Sequence, residues 1–197
     1  SVDGFRLALR KEPAEMSGAM SFVVPGKTLS EVAKLLGDDE EQNCQIAVGR
    51  KHVVFSIDGY SVISRLLEGE FLNYRSAIPT SATTDVTVGV RALIDSVERA
   101  SLLITDRLRS PLRCQFAEGA VKISCSTAIG KAYDEITCQQ TGDDVEIAFN
   151  YAYVLDGLGS IATDEVYLEV QSSMKPGIFR ALEPENFLYL VMPVRIS

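Results

Sequence analysis

Three stretches of this chain can be laid over one another without gaps. Superposing Val24, Val88 and Phe149 aligns Leu29 with Leu93 and Val154, Glu31 with Asp95 and Asp156, and Leu36 with Ala100 and Ile161. The copies stand 64 and 61 residues apart. In each, a short apolar strand leads into a segment of helical periodicity, at 27–36, 91–103 and 150–161. Between them lie short runs rich in β-branched residues, at 45–48, 53–57, 61–66, 86–88, 113–116, 121–125, 166–170 and 188–192, which read as strands. A period of this length with one helix per copy implies tandem βαβββ units, an α+β fold with antiparallel sheets and helices on one face. One such unit has half a core and an open sheet edge, so neighbouring units are expected to pair.

The units also agree at their ends. Asp3-Gly4-Phe5-Arg6-Leu7-Ala8-Leu9-Arg10 matches Asp58-Gly59-Tyr60-Ser61-Val62-Ile63-Ser64-Arg65 at an offset of 55. The chain is therefore expected to open on the last strand of a unit whose earlier elements are absent, leaving apolar surface in need of cover.

Length and composition set limits on function. With 197 residues, 46% of them hydrophobic, the chain can bury one large core or two smaller ones. A net charge of −8 weighs against a conventional nucleic-acid binder, whose affinity comes from cations that neutralise phosphate. No run is apolar and long enough for a membrane helix and no signal-peptide pattern opens the chain, so a cytosolic protein is expected. In that setting Cys44, Cys114, Cys125 and Cys138, with no zinc or redox spacing, read as reduced, buried thiols.

Motifs that would carry chemistry fail on inspection. Val24-Pro25-Gly26-Lys27-Thr28 ends like a phosphate-binding loop, but Ser21 stands where its first glycine belongs, and Pro25 and Gly26 read as a strand-to-helix turn. Gly59-Tyr60-Ser61-Val62-Ile63 lacks the second glycine of a nucleophile elbow. His52, the single histidine, reads as an exposed hairpin residue, leaving no material for a histidine-rich metal site. Asp38-Asp39-Glu40-Glu41 has no calcium-loop spacing, and Gly142-Asp143-Asp144 reads as a turn. An enzyme is not expected, and neither a cofactor nor a metal.

Several blocks, in order along the whole chain, resemble the bacterial DNA sliding clamp, the beta subunit of DNA polymerase III. They are Asp3-Gly4-Phe5-Arg6-Leu7, Val24-Pro25-Gly26-Lys27-Thr28-Leu29, Arg65-Leu66-Leu67-Glu68-Gly69-Glu70-Phe71, Ile147-Ala148-Phe149-Asn150, Tyr153-Val154-Leu155-Asp156 and Leu190-Val191-Met192-Pro193-Val194-Arg195. The resemblance implies a subunit of three similar domains, each of two βαβββ units, with two subunits closing head to tail around duplex DNA. It makes residues 1–80 the second half of the middle domain and 81–197 the C-terminal domain, with the N-terminal domain outside this sequence. Such a piece could not close a ring and is expected to be monomeric.

The same resemblance implies a groove for short linear peptides carrying a glutamine and a terminal Leu-Phe pair. Its matching positions are Gly4, Phe5, Arg6, Leu7, Leu72 and Ala77 on one side, and Asn150, Tyr153, Met174, Pro176, Leu190, Met192, Pro193, Val194, Arg195 and Ile196 on the other. Read without the family, the same apolar positions are ordinary core. The implied partners are the DNA polymerase III catalytic subunit, the clamp loader, other polymerases and repair proteins. Phe5, Val2 and Leu72 replace the family's common histidine, threonine and proline, which predicts a greasier groove.

Two helix faces carry regular charge: Lys27, Glu31 and Lys34 on the first, Arg91, Asp95 and Arg99 on the second. Lys27, Lys34, Arg91 and Arg99 would face DNA if these faces line a channel, while intrahelical ion pairs on a solvated face explain the spacing equally well. A stand-alone peptide-binding module outside replication is the alternative to a clamp.

Overall fold

The computed structural model describes residues 1–37, 42–105, 108, 110–182 and 186–195. The acidic run 38–41 and Ile196 lie outside the described residues. The chain divides into two compact units, one of residues 1–13 with 74–197, the other of residues 14–73.

In the first unit the repeat is explicit. One copy runs β5 (Thr84–Gly89), α2 (Val90–Ser101), β6 (Leu112–Ala117), β7 (Ala120–Thr127) and β8 (Gly130–Thr137), with a short extra strand β9 (Gln139–Gly142). The next runs β10 (Val145–Phe149), α3 (Tyr151–Leu158), β11 (Glu165–Val170), β12 (Gly177–Ala181) and β13 (Phe187–Val191). The copies interleave, giving a four-stranded sheet ordered β10-β6-β7-β8 and a six-stranded sheet containing β13-β12-β11-β5-β9. The sixth strand is β1 (Arg6–Arg10), which pairs antiparallel with β13, Leu7 opposite Leu190.

Alternation along each strand, and the three-to-four spacing along each helix, send one set of side chains inward. Val86, Val88, Val166, Leu168, Phe179, Tyr189 and Val191 meet Leu112, Phe116, Ile123, Ile147 and Phe149, with Leu93 and Val97 of α2 and Val154 and Leu158 of α3 completing the core. Opposite residues of the six-stranded sheet form a smaller cluster on its other face: Leu7, Ile178, Leu188 and Leu190, packed by Val2, Leu9, Tyr74 and Ile78. Hairpin turns fall where the sequence permits positive φ, as at Glu118 (57°) and Gly119 (72°) between β6 and β7.

The second unit holds α1 (Gly26–Leu35) and a three-stranded sheet of β2 (Cys44–Val48), β3 (His52–Ile57) and β4 (Tyr60–Arg65). Its core is slight: Val32, Val53, Phe55 and Ile57 are buried. Leu29, Ile46, Ile63 and Leu67 stand exposed. The apolar strand expected ahead of α1 does not form among the described residues; the Leu67 N–H donates to the Val23 carbonyl at 2.9 Å, a single bond rather than a ladder.

The cysteines divide. Cys114 and Cys125 are buried, but Cys44 and Cys138 are half-buried, which corrects the reading of all four as core thiols; none is in a disulfide. His52 begins β3 opposite Arg65 and is exposed. No helix among the described residues is long and apolar enough to cross a membrane.

Candidate functional site

The candidate groove residues of the first unit converge through strand register. Arg6 of β1 lies opposite Val191 of β13, which lies opposite Gly177 of β12. One position further along, Phe5, Met192 and Pro176 emerge side by side at the same end of the sheet. The Met192 N–H donates to the Phe5 carbonyl at 2.8 Å, extending the ladder by one bond. Gly177 is required at this end, because an added Cβ would come within 2.6 Å of the buried Phe149 ring. The chain then leaves β13 through Pro193, and the Val194 N–H donates to the Ala148 carbonyl at 2.8 Å, which brings residues 193–195 beside the start of α3.

Residues 1–8 fold locally into a tight loop that presents Phe5. Val2 bridges to Leu7, and Ser1 and Ala8 exchange backbone hydrogen bonds of 2.9 Å. Asp3 Oδ1 accepts from the N–H groups of Phe5 and Arg6, both at 3.1 Å, a turn closed by a side chain. Gly4 supplies the positive φ of 87° that the loop needs.

The start of α3 forms the other wall. Asn150 is its N-cap, its side chain accepting from the Ala152 N–H at 3.0 Å. Tyr153, in the first turn, stacks against Phe5 with ring centroids 6.2 Å apart and an interplanar angle of 29°. The Arg6 guanidinium sits 4.4 Å from the centre of the same ring. One turn on, Asp156 binds Arg6, whose Nε also donates to Asp3 Oδ2 at 2.7 Å. Held by Asp3 and then Asp156, the guanidinium is pushed further above its ordinary pKa and stays charged. Partial desolvation opposes the shift at Asp3, but hydrogen bonds from Arg6 and two backbone N–H groups win and hold its carboxyl below the usual range. Burial raises the neighbouring Tyr189 phenol; Arg6 is near enough to oppose this without meeting hydrogen-bond geometry.

Exposure separates surface from floor. Phe5 (59%), Met174 (61%) and Met192 (40%) are open to solvent, as are Gly4, Ala77, Val194 and Arg195. Arg6, Asn150, Tyr153, Pro176 and Pro193 are half-buried. Leu7 and Leu190, each 3% exposed, face each other across β1 and β13 and belong to the smaller core cluster. A cavity beside Pro176 and Ile178 measures about 10 Å³, too small for a side chain. Leu72 belongs to the other unit and is exposed.

The structure adds residues the sequence reading missed. A cavity of about 490 Å³ opens between Ile104, Thr105, Ser110 and Pro111 on one side and Asn150, Tyr151 and Ala152 on the other, with Val194 at its rim. Asp156 was legible only as a neighbour of Tyr153 at helical spacing.

The charged helix faces are largely internally neutralised. Lys34 Nζ lies 2.8 Å from Glu31, Arg91 lies 2.9 Å from Asp95, and Arg99 reaches Asp134 on β8 at 2.5 Å. Lys27 has no ion-pair partner among the described residues. No group of three or more His, Cys, Asp or Glu among the described residues could hold a metal ion.

Comparison with known proteins identifies this assembly. The profile described as DNA polymerase III beta subunit, C-terminal domain, matches residues 75–195, and that of the central domain matches residues 1–73. The beta sliding clamp of Bacillus subtilis is 31% identical over 200 residues, covering 99% of this chain and 53% of the relative. The crystal structure of the B. subtilis clamp superposes with a TM-score of 0.94 at 29% identity, covering 100% of this chain and 53% of that one. A Pseudomonas aeruginosa clamp bound to griselimycin gives a TM-score of 0.91 at 27% identity, covering 100% of this chain and 53% of its own length. The chain thus spans about half the length of the relatives it matches. With both domain profiles accounting for nearly every residue and the clamp fold superposing over the whole chain, the chain belongs to the bacterial DNA polymerase III beta subunit, or sliding clamp, family.

Proposed function

We propose that this chain is part of a DNA replication processivity factor, and that the Phe5, Tyr153, Met192 surface receives short linear peptides of replication and repair proteins. The observation that carries the reading is the convergence of Phe5, Pro176, Met192 and Tyr153 at one end of a sheet, with Phe5 exposed although it stacks on Tyr153. Exposed aromatic and methionine side chains on a rigid frame suit adaptable apolar recognition. The occupant fitting this chemistry is a peptide with a glutamine and a terminal Leu-Phe pair. The DNA polymerase III catalytic subunit, the clamp loader, translesion polymerases and repair proteins are the partners this reading names.

In this reading residues 1–80 are the second half of a middle domain and 81–197 a C-terminal domain, of a homodimeric ring that encircles duplex DNA. Encirclement replaces tight contact by effective concentration, so no catalytic group is needed. Weak contact with DNA follows if Lys34, Arg91 and Arg99 stay neutralised by their carboxylate partners. An open edge for ring closure is available in β8, eight residues long at the end of its sheet.

Titration of a fluorescent Gln…Leu-Phe peptide tests the groove. Two anchored apolar side chains contribute roughly 1.5–3 kcal/mol each, and hydrogen bonds to the glutamine and the remaining peptide contacts, less the ordering of the peptide, are needed to reach the expected micromolar affinity of about −8 kcal/mol. Met192→Ala and Tyr153→Ala should each weaken binding, the second by removing the platform under both Phe5 and Arg6. Folded protein that binds no peptide, or binds it equally well with both substitutions, overturns the assignment.

A further inference from the structure

The two repeats of the first unit pair by one rule. The strand ahead of each helix lies antiparallel to the first strand after the other copy's helix: β5 beside β11, and β10 beside β6. Each copy thus lends its leading strand to the other's sheet. The second unit holds both halves of this exchange, and neither is satisfied. β2, the first strand after α1, lies at the outer edge of its three-stranded sheet. It carries no charge or proline to guard that edge, and Ile46 at its centre is 53% exposed. Residues 21–24, ahead of α1, take one backbone bond among the described residues, from the Leu67 N–H to the Val23 carbonyl.

The helix has the same deficit. In the gapless alignment of the repeats Leu29 falls on Leu93 and Val154, Ala33 on Val97 and Leu158, and Leu36 on Ala100 and Ile161. All of those counterparts are buried, yet Leu29, Ala33 and Leu36 are exposed. Positions that are core in two copies and open to solvent in the third mark a face shaped for another unit rather than for water.

We propose that the occupant of this face is a second copy of the same unit, so that residues 14–73 of two chains pair about a two-fold axis. Residues 21–24 of each chain add to the free edge of β2 in the other, and Leu29, Ala33 and Leu36 of both enter a shared core. An isologous pairing fits because a single surface carries both the strand to be lent and the edge that receives it. No charged residue stands at 21–24, 29, 33, 36 or 44–48, so two copies meet there without like-charge repulsion. The slight core of Val32, Val53, Phe55 and Ile57 becomes half of a larger one. This goes beyond the ring reading, in which a unit of a longer chain covers the same face, and it replaces the monomer expected from the sequence.

Sedimentation velocity of the full 197-residue chain across the micromolar range is the test. The expected result is a concentration-dependent dimer, with hydrogen exchange at residues 22–24 and 44–48 slowing as the dimer fills. Leu29→Glu and Ile46→Lys should each raise the dissociation constant at least about tenfold, since each removes apolar contact and buries a charge. Both side chains are exposed, so thermal melting of the dilute monomer should match the parent and exclude misfolding. Tyr133→Lys, an exposed position on β8 at a free edge of the first unit, should leave the dimer intact. A chain that stays monomeric throughout overturns the proposal and leaves the ring and groove readings standing. A dimer lost with Tyr133→Lys and kept with Leu29→Glu and Ile46→Lys overturns it too, because the contact then lies on the first unit.

Discussion

Gly157→Ala measures how tightly α3 is fitted to the sheet beneath. A Cβ at this position would lie 2.3 Å from Tyr189 Cδ1 and 2.5 Å from Cε1. Ordinary carbon contacts need roughly 3.5 Å, so helix or ring must move by about 1 Å. The Tyr189 ring has little freedom: it is 6% exposed and stacked on Phe187 at 6.4 Å. Overpacking of this kind costs about 1–3 kcal/mol, against which alanine returns up to about 1 kcal/mol of helix propensity. The net expectation is a loss of about 1–2 kcal/mol, a fall in Tm of roughly 3–6 °C for a protein of this size. Urea and thermal unfolding give both numbers. Because α3 also carries Tyr153, peptide affinity should fall in parallel. In a Tyr189→Leu background the same substitution should be neutral or stabilising, a coupling that isolates the clash. A Gly157→Ala protein that melts at or above the parent, with no coupling to position 189, would falsify this account of the packing.

Ser96 of α2 is fully buried and its hydroxyl has no hydrogen-bond partner within geometric limits, so Ser96→Ala should stabilise by about 0.5–1.5 kcal/mol in urea; a loss instead would mean that the hydroxyl serves Asp134. Asp134 is held below its ordinary value of 3.8 chiefly by Arg99, so this stabilisation is complete above that pH and is lost as pH falls through the lower folded value. Urea midpoints of Asp134→Asn should therefore flatten at acid pH relative to the parent, and parallel curves would refute the linkage. Burial pushes the Cys114 thiol up to about 12, so in native protein a thiol reagent should reach Cys44 and Cys138 well before Cys114, which reacts only on unfolding.

The repeat was legible because helices announce themselves at a period of 3.6 residues, and all three fell within a few residues of their observed bounds. Strands with one apolar face on a core were found for the same reason. Those missed were different in kind. β8 alternates half-buried and exposed along a polar sequence, and β12 opens on a glycine whose absent side chain makes room for Phe149. The strand expected before α1 had the right composition, but only the Leu67 N–H bonds to it, at the Val23 carbonyl. At the candidate site, Phe5, Tyr153 and Met192 came from family resemblance alone, because their proximity depends on register between segments near opposite ends of the sequence. That resemblance did not foretell that Leu7 and Leu190 pair as floor, nor that Asp156 would bind Arg6.

The pairing of β1 with β13 joins segments distant in sequence, so by contact order the Phe5, Tyr153, Met192 surface is expected to form late in folding. Local hairpins such as β6-β7-β8 close over a few residues, whereas Arg6 and Val191 must find each other across almost the whole sequence. Until they do, Phe5 has no Tyr153 to lean on and the Met192 N–H has no acceptor. On the proposed function, a peptide that selects this surface would select molecules whose most distant segments have already met. Such binding would double as a check that β1 and β13 have paired.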